Sequence, residues 1–426
     1  MDAGGAAMYR VVSDLYPICR SITGNGVRAT LERIAQEIPI TVHEVPSGTR
    51  VFDWVVPSEW NINDAYIVTP TGARIAEFSK LNLYVLNYSV PVHKKMPLAE
   101  LRQHLYSIPE HPDWVPYRTS YYKENWGFCL SDRELRSLPD GEYEVCIDSS
   151  LEPGHLSYGE LFIPGESETE VLFSCHICHP SLCNDNLSGI ALAMHLAKHL
   201  EKQQLRYSYR FLFIPGTIGS ITWLALNAES AKKIGHGLVV TCVGDSGPFS
   251  YKKSRRGNAE IDRAVLHVLG HTREGFREIE FYPYGYDERQ YCSPGFNLAV
   301  GSLSRSSHGQ YPEYHTSADN LDLVQPQCLA ESLETYIDVV DVLENNRTYI
   351  NLNPKCEPQL GKRGLYSSIG APGGSGVREM ALLWVLNLAD GEHDLLSIAE
   401  RSGEPFHEIH KAAEALKQGG LLEAAD

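Results

Sequence analysis

The chain has 426 residues, longer than one ordinary domain, so two or three folded units are expected. Hydrophobic residues at 43% and charged residues at 21% are ordinary globular values and exclude a disordered or fibrous protein. With 54 acidic against 37 basic residues the net charge is -17, which argues against nucleic acid or an anionic membrane surface as a partner.

Residues 7–37 read as two amphipathic helices, broken around Thr23-Gly24-Asn25-Gly26. The N-terminal stretch MDAGGAAMYRVVSDLYPICR lacks a basic region followed by an apolar run. No segment reaches the roughly 18 apolar residues of a membrane helix, so a cytoplasmic protein with reduced thiols is expected. From 51 to 116 short alternating runs with many prolines and aromatics (VFDWVV, AYIVT, LNLYVLNYSV) predict a small β-rich domain. It interrupts a larger core domain assigned to 1–50 and 117–350.

Within 117–350, strand-like runs (ELFIP, EVLFSCHI, YRFLFIP, GLVVTCVG, NLAVGSL) alternate with helical ones (GIALAMHLAKHLEK, ITWLALNAESAKKI). This alternation predicts an α/β fold with a mostly parallel mixed sheet and helices on both faces. After the Gly/Pro/Ser-rich stretch 367–376, three short amphipathic helices and a terminal Leu-Leu strand predict a winged-helix-like domain over 351–426. That domain carries seven basic against eleven acidic residues, whereas a DNA-binding winged helix carries a basic face. Docking or homo-oligomerisation is therefore its expected role.

The string from Phe173 to Gly189, FSCHICHPSLCNDNLSG, holds most of the chemistry. It begins at the carboxyl end of a buried strand and runs into a helix, where open α/β sheets place their sites. Cys175-x-x-Cys178-His179 matches the c-type haem attachment pattern in form. The missing export signal and the alternating side chains of a strand oppose that reading. A structural zinc site would need two further close ligands, and none pairs with these cysteines. A zinc hydrolase site fits better: His176, Asp185, Asp245 and His315 each follow a predicted strand, and two histidines with two carboxylates leave room for water. His179 is expected to orient a ligand or to be packed, and Cys178 and Cys183 to be packing thiols. His195 and His199 lie at i, i+4 without the glutamate of an H-E-x-x-H site.

Asn184-Asp185-Asn186-x-Ser188-Gly189 and Tyr314-His315-Thr316-Ser317-x-Asp319 resemble the metal motifs of the co-catalytic zinc aminopeptidases, which have a phosphorylase/hydrolase-like α/β core. The chain is more similar still to a bacterial aminopeptidase-like zinc-peptidase family with the same inserted β-rich domain and C-terminal winged helix. The motifs of that family are CHPSxxNDNxSG, PETIGS, SDERQY and PEYHTSxD, and the resemblance covers nearly the whole chain. It implies one or two zinc ions, with His176, Asp185 and Asp245 at the first site and the bridging Asp185 with His315 at the second. It also implies hydrolysis of an amide bond in a small amino-bearing substrate or a peptide.

One departure matters. Gly216 stands where the family's PETIGS motif has glutamate, and loss of a general base costs on the order of 10²–10⁴ in rate. Glu288 and Glu313 are expected either to replace that base or to hold the substrate's free amine. Arg289 is expected either to contact a substrate carboxylate or to pair with Asp287, and Tyr291 and Tyr121 are expected to bind substrate, Tyr121 as part of an aromatic cleft wall. The alternative expectation is a catalytically impaired protein that binds a peptide or a biosynthetic partner.

Overall fold

Runs of Val, Leu, Phe and Ile build an eight-stranded sheet in the computed structural model, which describes residues 3–365 and 379–425. The stretch 367–376 lies outside the described residues. In chain order the strands are β1 Thr41–Pro46, β2 His155–Ile163, β3 Glu170–His176, β4 Ser208–Ile214, β5 Ile234–Val240, β6 Ser250–Lys252, β7 Arg277–Ile279 and β8 Val300–Ser304. In space they run β1-β2-β4-β3-β5-β8-β6-β7. The four central strands are parallel to one another. β2 is antiparallel to both its neighbours, and β6 is antiparallel to β8. All seven residues of β3 are buried, as a strand covered on both faces requires.

Helices cover the sheet: α1 Ala3–Leu15, α2 Asn25–Ala35, α3 Gly189–Leu200 and α4 Ile218–Leu226. α3 follows β3 and buries nine of its twelve residues, so it sits between α1 and the sheet. The chain reverses its direction of travel across the sheet at β3. β4 lies on one side of it and β5 on the other. At such a point the outgoing connections part, and a crevice opens at the carboxyl ends of the strands.

The β-rich segment forms a four-stranded antiparallel sheet in the order Arg74–Ile75, Glu59–Val68, Glu142–Glu152, Val92–Pro97. Its central strand, Glu142–Glu152, comes from beyond residue 116 and pairs with Glu59–Val68 along its whole length. Ile67, Phe128, Tyr143 and Val145 form the heart of a separate small core there.

The described chain divides into two compact units, 1–257 with 277–333, and 258–276 with 334–426. The second unit contains the winged helix: helices Glu379–Leu388, Leu395–Ser402 and Phe406–Gln418, with a three-stranded sheet of Asp390–Asp394, Thr348–Asn351 and Leu422–Ala424. Asp394 caps the helix Leu395–Ser402 by accepting from Ser397 N, and it also pairs with Arg263. All ten cysteines are free thiols. Among the described residues no helix is long and apolar enough to cross a membrane.

Candidate metal centre

β3 delivers His176 to the crevice, and the chain returns through Cys183–Ser188, where Asp185 and Asn186 depart from helical backbone angles. The Asp185 carboxylate is fully buried and faces three imidazoles. Its Oδ1 lies 2.8 Å from His176 Nε2, and its Oδ2 lies 3.0 Å from His315 Nε2 and 3.5 Å from His179 Nδ1. His179 Nδ1 is 3.1 Å from His176 Nε2. Ligand atoms of His176, His179 and Asp185 all fall within 4.8 Å of one another. Burial by itself would raise the Asp185 pKa, but His179 and His176 outweigh it and hold the carboxyl well below its ordinary range. Burial lowers the pKa values of His179 and His315, which keeps their ring lone pairs available.

The motif around Asp185 is a set of braces. Asp319 accepts from the backbone N–H groups of Asn184 (2.6 Å) and Asp185 (3.0 Å). Burial pushes the Asp319 carboxyl up to about 7, with the Asn184 amide opposing the shift and the charge of Asp185 adding to it. Asn186 Nδ2 donates to the carbonyl of Val240 at the end of β5 (2.9 Å), and its Oδ1 accepts from Cys242 N (3.2 Å). Ser188 Oγ donates to the Asn184 carbonyl at 2.7 Å.

Gly189 completes the motif because a Cβ there would lie 2.6 Å from the Val240 carbonyl oxygen and 2.3 Å from Asn186 Oδ1. Gly189→Ala is therefore expected to destabilise the chain by about 1–3 kcal/mol through overpacking. A drop in the chemical denaturation midpoint checks this. His315 is held at φ +56°, an uncommon conformation for a residue with a side chain. Tyr314 stacks on its ring at 3.9 Å, Tyr286 stacks on His176 at 5.0 Å, and Tyr117 stands edge-on to His179 and His315.

Beside the centre lies an open cleft of about 230 Å³. Of the residues singled out in the sequence, His176, Cys178, His179, His315, Gly216, Arg289 and Tyr121 line it. Tyr121 hydroxyl is 2.6 Å from that of Tyr117, and the Arg289 guanidinium reaches the Tyr284 ring while its Nε has no partner.

Four expectations are corrected. Asp245 does not join the cluster: its carboxylate accepts from Asn184 Nδ2 (2.8 Å), Gly247 N (2.6 Å), Ser306 Oγ (2.7 Å) and Ser306 N (3.3 Å). Cys242, nearer the end of β5, occupies the adjacent position, with its N–H on Asn186. Glu288 is turned away from the cleft and accepts from Lys252 Nζ at 2.7 Å, with both side chains buried. Glu313 does not line the cleft and uses its backbone carbonyl to accept from Thr316. Tyr291 is fully buried with its hydroxyl 2.8 Å from Ser174 Oγ, so it serves packing rather than substrate.

Cys178 is buried, and burial pushes its thiol up to about 12, consistent with a packing role. His195 Nδ1 lies 2.9 Å from the Ala191 carbonyl, within its own helix.

Sequence reasoning missed Asp287, which also lines the cleft. Its Oδ1 accepts from Ser220 Oγ at 3.0 Å and its Oδ2 is buried without a partner. Burial pushes the Asp287 carboxyl up to about 7, against the Ser220 hydrogen bond and with a contribution from the Glu288 charge. Asp287 and Glu288 are adjacent in the sequence, and successive residues of a helical turn point about 100° apart. Only packing decides which acid faces the cleft.

The sequence profile of a domain of unknown function, DUF4910, matches residues 9–346, and that of a winged helix-turn-helix matches 347–424. The chain belongs to the DUF4910 family. This DUF4910 chain is 54% identical, over 98% of its length and 96% of the relative's, to a Clostridium acetobutylicum protein provisionally named a polysaccharide biosynthesis protein with aminopeptidase-like domain. A crystal structure from the same organism, of a chain provisionally named a peptidase, matches it with TM-score 0.94 and 53% identity. That likeness covers 99% of this chain and 96% of the other. A zinc aminopeptidase of Bacillus subtilis is 11% identical and shares the fold, with TM-score 0.58 over 80% of the DUF4910 chain and 94% of its own. The aminopeptidase-like α/β core and the C-terminal winged helix expected from the sequence are thus present.

Proposed function

We propose that this protein is a zinc-dependent hydrolase of an amide bond in a small amino-bearing substrate or a peptide. The observation that carries the reading is one buried carboxylate, Asp185, facing the ring nitrogens of His176, His179 and His315. Three imidazoles and a carboxylate are a donor set that suits zinc. His176, His179, Asp185 and His315 would hold the zinc, as one ion or two. Bound there, zinc supplies Lewis acidity at the scissile carbonyl and lowers the pKa of water.

The remaining work falls to the chain. Arg289 presents a guanidinium nitrogen without a partner beside the cleft, suited to a substrate carboxyl or carbonyl oxygen. Tyr121, Tyr286 and Tyr314 wall the cleft. The cleft and a second cavity of about 300 Å³ that shares Tyr121, His179 and His315 with it suit a small substrate or a short peptide. The polysaccharide biosynthesis named for the Clostridium relative supports including amides of amino sugars among the substrates tried.

Metal analysis of the purified and zinc-supplemented protein, with a panel of aminoacyl amides, tests the reading. Bound zinc and turnover of at least one amide are expected, and absence of zinc after supplementation overturns it. A second reading, a metal-binding protein without turnover, is favoured by Gly216 alone. It requires zinc with no hydrolysis anywhere in the panel.

A further inference from the structure

We infer that Asp287 is the proton-accepting carboxylate of the cleft, standing in for the acid that is absent at Gly216. The inference rests on the hydrolase reading above and adds the residue that handles the proton.

The first support is position. A Cβ built on Gly216 would lie 3.5 Å from both Asp287 Oδ1 and Oδ2, and 3.2 Å from His176 Cβ. The carboxylate oxygens of a glutamate stand three bonds beyond its own Cβ, at a comparable separation. Asp287 therefore holds its two oxygens in the space that a glutamate at position 216 could reach.

The second support is an unmet valence. Asp287 is 1% exposed, its Oδ1 is fixed by Ser220 Oγ near the start of α4, and its Oδ2 is buried with no hydrogen-bond partner. A buried carboxylate oxygen left without a partner costs free energy comparable to a lost hydrogen bond, unless a water, a proton or a ligand completes it. The Ser220 contact sets the rotamer, so the open oxygen is held in place beside the cleft.

The third support is that three neighbouring acids are engaged. Glu288 is paired with Lys252, Asp245 with Asn184 and Ser306, and Asp319 with two backbone amides. Asp287 is the only acid among the described residues that line the cleft. Burial also places its proton exchange near neutral pH, where a general base works best.

The chemistry balances without a co-reactant. The Asp287 carboxylate takes one proton from water as the water oxygen bonds to the amide carbon and the carbonyl electron pair moves onto its oxygen. The same proton then passes to the leaving nitrogen as the C–N bond breaks and the carbonyl reforms. Asp287 returns to the carboxylate, and the products are a carboxylic acid and an amine.

The test uses the full-length zinc-loaded chain with four forms: wild type, Asp287→Asn, Gly216→Glu and the double variant. Asp287→Asn is expected to lower kcat on aminoacyl amides by on the order of 10²–10⁴. Its zinc content, KM and denaturation midpoint are expected to stay at wild-type values. The double variant, Gly216→Glu combined with Asp287→Asn, is expected to recover part of the rate. Infrared difference spectra against pH are a readout independent of turnover. They are expected to show two carboxyl bands titrating near neutral pH in wild type, from Asp287 and Asp319, and only one of them in Asp287→Asn.

A kcat within threefold of wild type in Asp287→Asn overturns the inference. So does a raised KM at unchanged kcat, which would make Asp287 an anchor for the substrate amine. Zinc-loaded wild type and Gly216→Glu both inert toward the whole panel would instead sink the hydrolase reading itself.

Discussion

Asp185→Asn is expected to strip the centre of zinc and to lower kcat by on the order of 10³ or more. The carboxylate is the one group that faces all three imidazoles, at 2.8, 3.0 and 3.5 Å. An amide of the same shape removes the negative charge and turns an N–H donor toward ring nitrogens that must present lone pairs. Lewis-acid stabilisation is worth several kcal/mol, and each 1.36 kcal/mol is tenfold in rate. The fold should survive the change, because the braces from Asp319 reach the backbone of Asn184 and Asp185 rather than the side chain. Zinc content, kcat and the denaturation midpoint measured together check the expectation, and zinc retained at the wild-type level would refute it. Asp245→Asn provides the contrast. Its carboxylate rests on Asn184, Gly247 and Ser306, so zinc is expected to remain.

Lys252→Met is expected to cost about 3–5 kcal/mol of stability, the penalty for stranding one partner of a buried ion pair. Lys252 Nζ lies 2.7 Å from Glu288 Oε1 and donates to the Tyr284 carbonyl at 2.7 Å. The two side chains are 6% and 1% exposed, and Glu288 Oε2 has no other partner to share the charge. Without the ammonium, the carboxylate stays buried and uncompensated beside Asp287. The double change Lys252→Met with Glu288→Leu is expected to recover most of the loss, since an apolar pair of similar volume often replaces a buried ion pair at little cost. Denaturant midpoints of the single and double variants give the comparison. A single variant within 1 kcal/mol of wild type would show that the pair is not a structural staple.

Much of the frame is legible in the residues because its signals are local. Seven consecutive buried positions in β3 and the buried helix that follows act over short stretches. His176 and Asp185 lie at the two ends of one strand-to-helix connection, so the structure could hardly keep them apart. His315 arrives from a distant loop, and its motif signalled that arrival. Asp245 shows the limit. It follows β5 as expected, yet three residues of extra loop carry it past the centre to Ser306, and Cys242 takes the nearer place. The β-rich segment shows the same limit, since the strand that pairs along Glu59–Val68 comes from much later in the chain.

The sequence by itself determined the aminopeptidase-like α/β frame, the terminal winged helix and the grouping of His176, Asp185 and His315. Periodicity along the chain marks the α/β alternation and the terminal helices, and the motifs carry the resemblance that implies the aminopeptidase-like frame and the grouping of these residues. Only the tertiary structure decided that His179 faces Asp185, that Glu288 is neutralised by Lys252, and that Asp287 stands beside Gly216. Each of those outcomes depends on which way a side chain points from a short helix or loop. That direction is set by packing against elements far away in sequence, and no local pattern records it.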